Sequence, residues 1–315
     1  MINLRRTSST WLFVCIIVAV ATAATLSLCG CAVGLRSCGT SADRLELRIM
    51  SFNIRYGTAD DGDNKWQNRK DAVCSVLRDN QPDVVGLQEA LYFQIQEILQ
   101  ELPRFDYLSV GREDGKTKGE YSAILYRTDR FDVNDSGTFW FSDTPEVPGS
   151  ITWGNANTRI CTWARFIDKK SGVVFYVFNL HLDHISQPSR EKSVILLANR
   201  INERKHPDPY VVAGDFNAGE TNPAVMYLTA GAEHGGVPNP VPMVDTFRVL
   251  YPDATVVGTF HEFKGNTTGD KIDYVLTPSD VKVLDAQIIR TQYNGRYPSD
   301  HFPVTARLYL PARGK

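Results

Sequence analysis

From residue 44 onward, short apolar runs alternate with segments of helical spacing. Leu45 to Ile54 alternates apolar and polar positions with the period of two that a strand requires. Trp66, Val73, Val76 and Leu77 share one stripe, which predicts a helix over Trp66 to Leu77, stopped before Pro82. A strand over Val84 to Gln88 and a helix over Leu91 to Leu102, with Ile95, Ile98 and Leu99 inward, come next. Ser122 to Tyr126 reads as a strand, and Asp143 to Gly154, with two prolines and two glycines, as a loop. Arg159 to Ile167 and Val173 to Leu180 read as strands joined by the turn Lys169-Lys170-Ser171-Gly172. A helix over Glu191 to Arg204 and a strand over Tyr210 to Gly214 follow. Asn222-Pro223 has the form of a cap and first position of one more helix. Strands over Lys271 to Leu276 and Pro303 to Leu310 close the pattern. Many strands with a few helices at intervals predict helices outside stacked sheets, and the absence of a repeat or linker within 44–312 predicts one domain there.

Composition agrees with a large core: 43% of the 315 residues are apolar and 22% charged. The formal net charge of −2 becomes −4 without Arg5 and Arg6. That disfavours a long nucleic-acid track as partner and leaves room for small phosphate esters. Residues 1–43 differ from the rest. Arg5 and Arg6 precede a long apolar stretch, Trp11 to Leu28, the layout of an export signal or signal anchor over 1–31. Leu28-Cys29-Gly30-Cys31 has the form of a lipobox in which Cys31 would be acylated, and 32–43 is a polar tether. The expectation is an exported, membrane-anchored or secreted monomer. Four of the six cysteines fall in this segment, so Cys74 and Cys161 are expected as buried free thiols rather than a disulfide framework.

Candidate chemistry gathers at strand ends, where a polar side chain projects at the sheet rim. These groups are Asn53, Glu89, His181, Asp215 with Asn217, Asp273, and Asp300 with His301. A single rim carboxylate is usually solvated or caps a turn, but here six strand ends carry candidate groups together. No Gly-x-Ser-x-Gly elbow appears, which argues against a serine hydrolase. A binding module that has lost catalysis would show gaps in the series, and none is present.

The ordered series Ser51-Phe52-Asn53-Ile54-Arg55, Gly86-Leu87-Gln88-Glu89, Asn179 to His184, Gly214-Asp215-Phe216-Asn217, Lys271-Ile272-Asp273-Tyr274 and Ser299-Asp300-His301 resembles the endonuclease/exonuclease/phosphatase superfamily, with its DNase I-like fold. Its surroundings are similar to a subgroup near the deadenylase and nocturnin branch. The resemblance implies an α+β, four-layer α/β/β/α sandwich and a magnesium- or manganese-dependent hydrolase of phosphate esters. It also implies Glu89 as main metal ligand with Asn53 and Asp300 beside it, and Asp215 orienting or deprotonating water with Asn217 fixing water and phosphate. His301, paired with Asp273, and His181 would then hold the phosphoryl oxygens as imidazolium ions. Arg55, Arg159 and Asp183 are expected to face the substrate. Arg55 stands where some relatives carry an acidic second metal ligand. Trp153, Phe260 and His261 are aromatic residues on loops, suited either to stacking on a ligand or to packing.

Overall fold

The computed structural model describes residues 44–312 apart from Ala232; the expected leader, tether and Cys31 modification lie outside the described residues. The strands are β1 (Arg44–Asn53), β2 (Val84–Ala90), β3 (Phe105–Leu108), β4 (Tyr121–Arg127), β5 (Phe131–Trp140), β6 (Ile160–Asp168), β7 (Val174–His181), β8 (Tyr210–Asp215), β9 (Val244–Asp245), β10 (Asp273–Thr277), β11 (Lys282–Ile288) and β12 (Val304–Pro311). The helices are α1 (Trp66–Asn80), α2 (Tyr92–Glu101), α3 (Gln187–Asn202), α4 (Pro223–Thr229) and α5 (Thr246–Leu250). One sheet runs β11-β12-β1-β2-β4-β3 and the other β5-β6-β7-β8-β10-β9.

Side-chain alternation explains why the sheets stack. In β1, Leu45, Leu47 and Ile49 face the second sheet, while Met50 and Phe52 face α1 and α2. In β7, Phe175 and Val177 face the first sheet, while Tyr176, Phe178 and Leu180 pack with Val194, Leu197 and Ile201 of α3. Burying each such large apolar side chain contributes roughly 1.5–3 kcal/mol. The result is the expected four layers of helix, sheet, sheet and helix.

Each sheet contains one parallel pair, β1 with β2 and β7 with β8, and the remaining pairs are antiparallel. A parallel connection needs a crossover, supplied by α1 and α3. Helix α3 begins four residues ahead of the predicted Glu191, because Ser186 caps it by accepting from Ser189 N at 3.3 Å with a proline in the first turn. Asn222 caps α4 as expected, accepting from Ala224 N at 3.0 Å. Cys74 and Cys161 are buried and free.

Asn179 joins the sheets across their polar end. Its amide donates to Leu87 O and Ala123 O at 2.8 Å each, and its Oδ1 accepts from Gln88 Nε2 at 2.7 Å. The opposing position is Gly86, where a Cβ would stand 2.5 Å from Asn179 Oδ1, so the close approach requires glycine.

Candidate active site

The two parallel pairs end at the same rim. Asn53 lies opposite Gln88 at the end of β1 and β2, and His181 opposite Asp215 at the end of β7 and β8. Alternation puts Ser51 and Asn53, Asn179 and His181, and Ala213 and Asp215 on the inner faces, so polar groups succeed apolar ones as each strand leaves the core. Asp273 starts β10 opposite Asp215. Asp300 and His301 arrive just ahead of β12, which runs antiparallel to β1 with Val304 opposite Ser51.

Three residues at this rim have left-handed backbones: Arg55 (φ 57°), Glu89 (φ 58°) and Asn217 (φ 47°). In Glu89 the conformation coincides with a bulge between Leu87 and Ala90. Unbroken alternation would send its side chain to the helix side with Leu87; the bulge turns it to the rim. Non-glycine residues held at positive φ cost about 1–3 kcal/mol each, and their concentration at one rim marks a place built for function rather than for stability.

The side chains converge on a cavity of about 640 Å³. Of the expected residues, Arg55, Glu89, Arg159, His181, Asp215, Asn217, Asp300 and His301 line it. Asn53 lies fully buried behind them, donating Nδ2 to Glu89 Oε1 and to Asp215 Oδ2 at 3.0 Å each, while its Oδ1 accepts from Arg55 N at 3.0 Å. The amide thus bridges two acids, and its oxygen holds one backbone N–H with a second lone pair left over. Asp273 stands behind His301. Asp183 is fully buried as well, accepting from Ala156 N at 3.0 Å, Ile185 N at 3.0 Å and Ser186 N at 2.8 Å. It braces two loops and does not reach the cavity, a correction to the expected substrate contact. The carboxylate is committed to backbone donors.

His301 sits between two acids, with Nδ1 2.9 Å from Asp273 Oδ2 and Nε2 3.8 Å from Asp215 Oδ2. Burial works against a charge on this ring, but Asp273 and Asp215 outweigh it and hold His301 well above its ordinary value. Burial and the neighbouring Asp273 push the Asp215 carboxyl up to about 7, against the pull of His301. A carboxyl in that range is able to take a proton at neutral pH. Asn217 N donates to Asp215 Oδ1 at 2.8 Å and fixes its orientation.

His181 departs from expectation. Burial, then the charges of Arg159 and Arg112, hold it well below its ordinary value, so it is neutral where an imidazolium was expected. Its Nε2 lies 2.9 Å from Asn217 Nδ2, an amide nitrogen that also donates to Leu182 O at 3.0 Å. Nε2 also lies 3.5 Å from Asp215 Oδ2, and Nδ1 lies 4.0 Å from Glu120 Oε2.

Arg112, Glu120, Asp61 and His184 also line the cavity. Arg112 and Asp61 belong to loops, so no strand end announced them. Arg112 holds Glu120 with both terminal nitrogens, at 2.7 and 2.9 Å. A signal was present in the three glycines of Gly111-Arg112-Glu113-Asp114-Gly115-Lys116-Thr117-Lys118-Gly119-Glu120. Arg159 gives Nε to Asp183 at 3.5 Å and NH2 to His184 Nδ1 at 3.0 Å. Arg55 donates to both Asp61 oxygens at 3.0 and 3.1 Å and lies 3.8 Å from Glu89 and 3.9 Å from Asp300. Phe260 lines the cavity 5.0 Å from the His301 ring. His261 instead stacks on Phe302 inside the protein, and Trp153 gives its indole N–H to Asp143.

Two places have cation-binding chemistry. Glu89 and Asp300 both line the cavity and share Arg55 as a neighbour, at 3.8 and 3.9 Å; burial lifts Asp300 and, against the pull of His301, Glu89 lifts it further. Paired hard oxygen donors whose charges oppose each other fit a divalent magnesium or manganese ion. Asp215, Asp273 and His301 also bring ligand atoms within 4.8 Å of one another. There the two acids hold a proton on His301, which an ion binding at that place would have to displace.

The family model described as Endonuclease/Exonuclease/phosphatase family matches residues 50–301. Among solved structures, an endonuclease/exonuclease/phosphatase family protein from Bacteroides thetaiotaomicron is 32% identical with a TM-score of 0.76, covering 85% of this chain and 98% of that one. A mannosyl-6-phosphatase of the same organism is 33% identical with a TM-score of 0.75, covering 83% of this chain and 99% of that one. Nocturnin of Drosophila melanogaster is 24% identical over an alignment that covers 87% of this chain and about half, 48%, of the fly protein.

Proposed function

We propose, from the premise that this chain belongs to the endonuclease/exonuclease/phosphatase family, that it is a divalent-metal-dependent phosphoesterase acting on small phosphate esters by in-line attack of water. The observation that carries this reading is Asp215, a buried carboxyl raised to about 7, placed between the His301 pair and the Asn53–Glu89 pair. Glu89 and Asp300 would hold the cation, with Asn53 fixing Glu89 from behind. A magnesium or manganese ion bound there neutralises phosphoryl oxygens and so lowers the barrier to an anionic attack.

The chain's own groups divide the remaining work. Asp215 takes the proton of the attacking water, and Asn217 holds Asp215 in register through its backbone N–H. His301, kept protonated by Asp273, faces the developing negative charge, a contribution of roughly two to three powers of ten. Neutral His181 offers a hydrogen bond, not a charge. The similar mannosyl-6-phosphatase supports small phosphorylated sugars as substrates. The export signal and tether read from residues 1–43 support work outside the cytoplasm at a membrane.

The test is release of p-nitrophenol from p-nitrophenyl phosphate and its bis-ester with magnesium, then with EDTA. The expected result is turnover of at least one ester that EDTA removes and added magnesium restores. Turnover indifferent to chelation defeats the metal-dependent reading. Absence of turnover on any ester with any divalent ion leaves a binding module on the same sandwich.

A further inference from the structure

The cavity carries both signs of charge: Glu89 and Asp300 line it, and so do Arg112 and Arg159, 8% and 3% exposed. Resting on the phosphoesterase reading above, we infer that Arg112 and Arg159 form a receiving wall for the second negative charge of a terminal phosphate, so that the enzyme is a phosphomonoesterase whose preference is set by Arg112.

The segment that delivers Arg112 is built for the purpose. Arg112 N donates to Glu120 O at 3.1 Å and Gly111 N to Lys116 O at 2.9 Å, which folds the chain back on itself. Asp114 Oδ1 accepts from Lys116 N and Lys118 N at 2.8 and 3.0 Å, tying the tip. A Cβ on Gly111 would overlap the Lys118 backbone, and Gly119 has φ 82°. The carbonyl of Arg112 accepts from Trp140 Nε1 at 2.6 Å, anchoring the residue to β5. Few surface loops are held at so many points. Its product is one buried guanidinium, gripped by Glu120 on one edge and open to the cavity on another.

Charge selects the ligand. Both guanidiniums line the cavity, and after burial their charges are the next causes that hold His181 low, as Arg159 is for His184. A monoester has a second ionisation near pKa 6 and is close to dianionic at neutral pH, by analogy with phosphorylated side chains (pKa about 6). With one face of the phosphoryl group toward the acidic corner and its cation, the remaining anionic oxygens meet the arginines. A diester carries a single charge, and its second ester arm would put carbon where a monoester offers the guanidiniums a charged oxygen.

The experiment compares kcat/KM for p-nitrophenyl phosphate and bis-p-nitrophenyl phosphate in the wild type, Arg112→Gln and Arg112→Lys, with the inhibition constant of inorganic phosphate as a second readout. The wild type should favour the monoester at least about tenfold, and Arg112→Gln should lose about ten- to a hundredfold on it while changing little on the diester. Arg112→Lys should fall between, since a point charge lacks the planar fork. The inhibition constant should rise in parallel. A wild type that prefers the diester, or a folded Arg112→Gln that loses both esters equally or neither, overturns the inference. Wild-type turnover of both esters separates that failure from failure of the phosphoesterase reading, which turnover of neither would show. Should Arg112→Gln not fold, Arg112→Lys and the wild-type ratio decide.

Discussion

Asp273 Oδ2 lies 2.9 Å from His301 Nδ1, on the side of the ring away from Asp215. This contact fixes both the orientation and the charge of the histidine. Burial, then the second carboxylate of Asp273 just beyond the ring, lift the Asp215 carboxyl to about 7, against the pull of the His301 cation beside it.

Asp273→Asn keeps the shape of the pair but removes the charge that holds the ring protonated. We expect kcat to fall by roughly two to four powers of ten with KM little changed. Steady-state kinetics on any hydrolysed ester check this, and a kcat within threefold of wild type would remove His301 from the mechanism.

Asn179→Ala would take the side-chain donor away from two backbone carbonyls between the sheets, while the Gln88 amide would keep Ser51 Oγ and Gly86 O as acceptors. Unsatisfied buried groups cost about 1–3 kcal/mol each, so a loss of about 3 kcal/mol or more is expected in urea unfolding. A variant as stable as wild type would mean that water replaces the amide.

Burial would raise Asp183, but the N–H groups of Ser186 and Ile185 outweigh it and hold the carboxyl below its ordinary 3.8. A depressed folded value means the stabilisation is complete above the unfolded value and is lost as pH falls through the folded one. Asp183→Asn should therefore be less stable than wild type at pH 7, with the gap closing below about pH 4. Denaturant melts at both pH values check it, and a gap that widens on acidification contradicts the assignment.

The strands read from the sequence are β1, β2, β4, β6, β7, β8, β10 and β12, and all are interior to their sheets. Those left unread, β3, β5, β9 and β11, are the four edges. An interior strand buries both flanks and shows dense apolar runs, whereas β5 is apolar chiefly at its ends, with exposed positions between. The site divides in the same manner. Glu89, His181 and Asp215 were legible because each follows an apolar run. Arg112 and Asp61 were not, because loops place them, and the neutrality of His181 depends on those loop arginines. The contact of the Asn53 oxygen with Arg55 N and the inward turn of Asp183 toward the N–H groups of Ile185, Ser186 and the distant Ala156 arise from loop backbone, which alternation of side chains does not encode.

The central claim is that Glu89 and Asp300 hold the cation that Asp215 and His301 work beside. Manganese titration followed by electron paramagnetic resonance, run in parallel with phosphate release, addresses it in one set of samples. Wild type should bind manganese and turn over ester, Glu89→Gln should lose both, and Asp273→Asn should keep the binding while losing turnover. Unaltered manganese affinity in Glu89→Gln, with affinity lost in Asp273→Asn, would place the ion among Asp215, Asp273 and His301 and contradict the account.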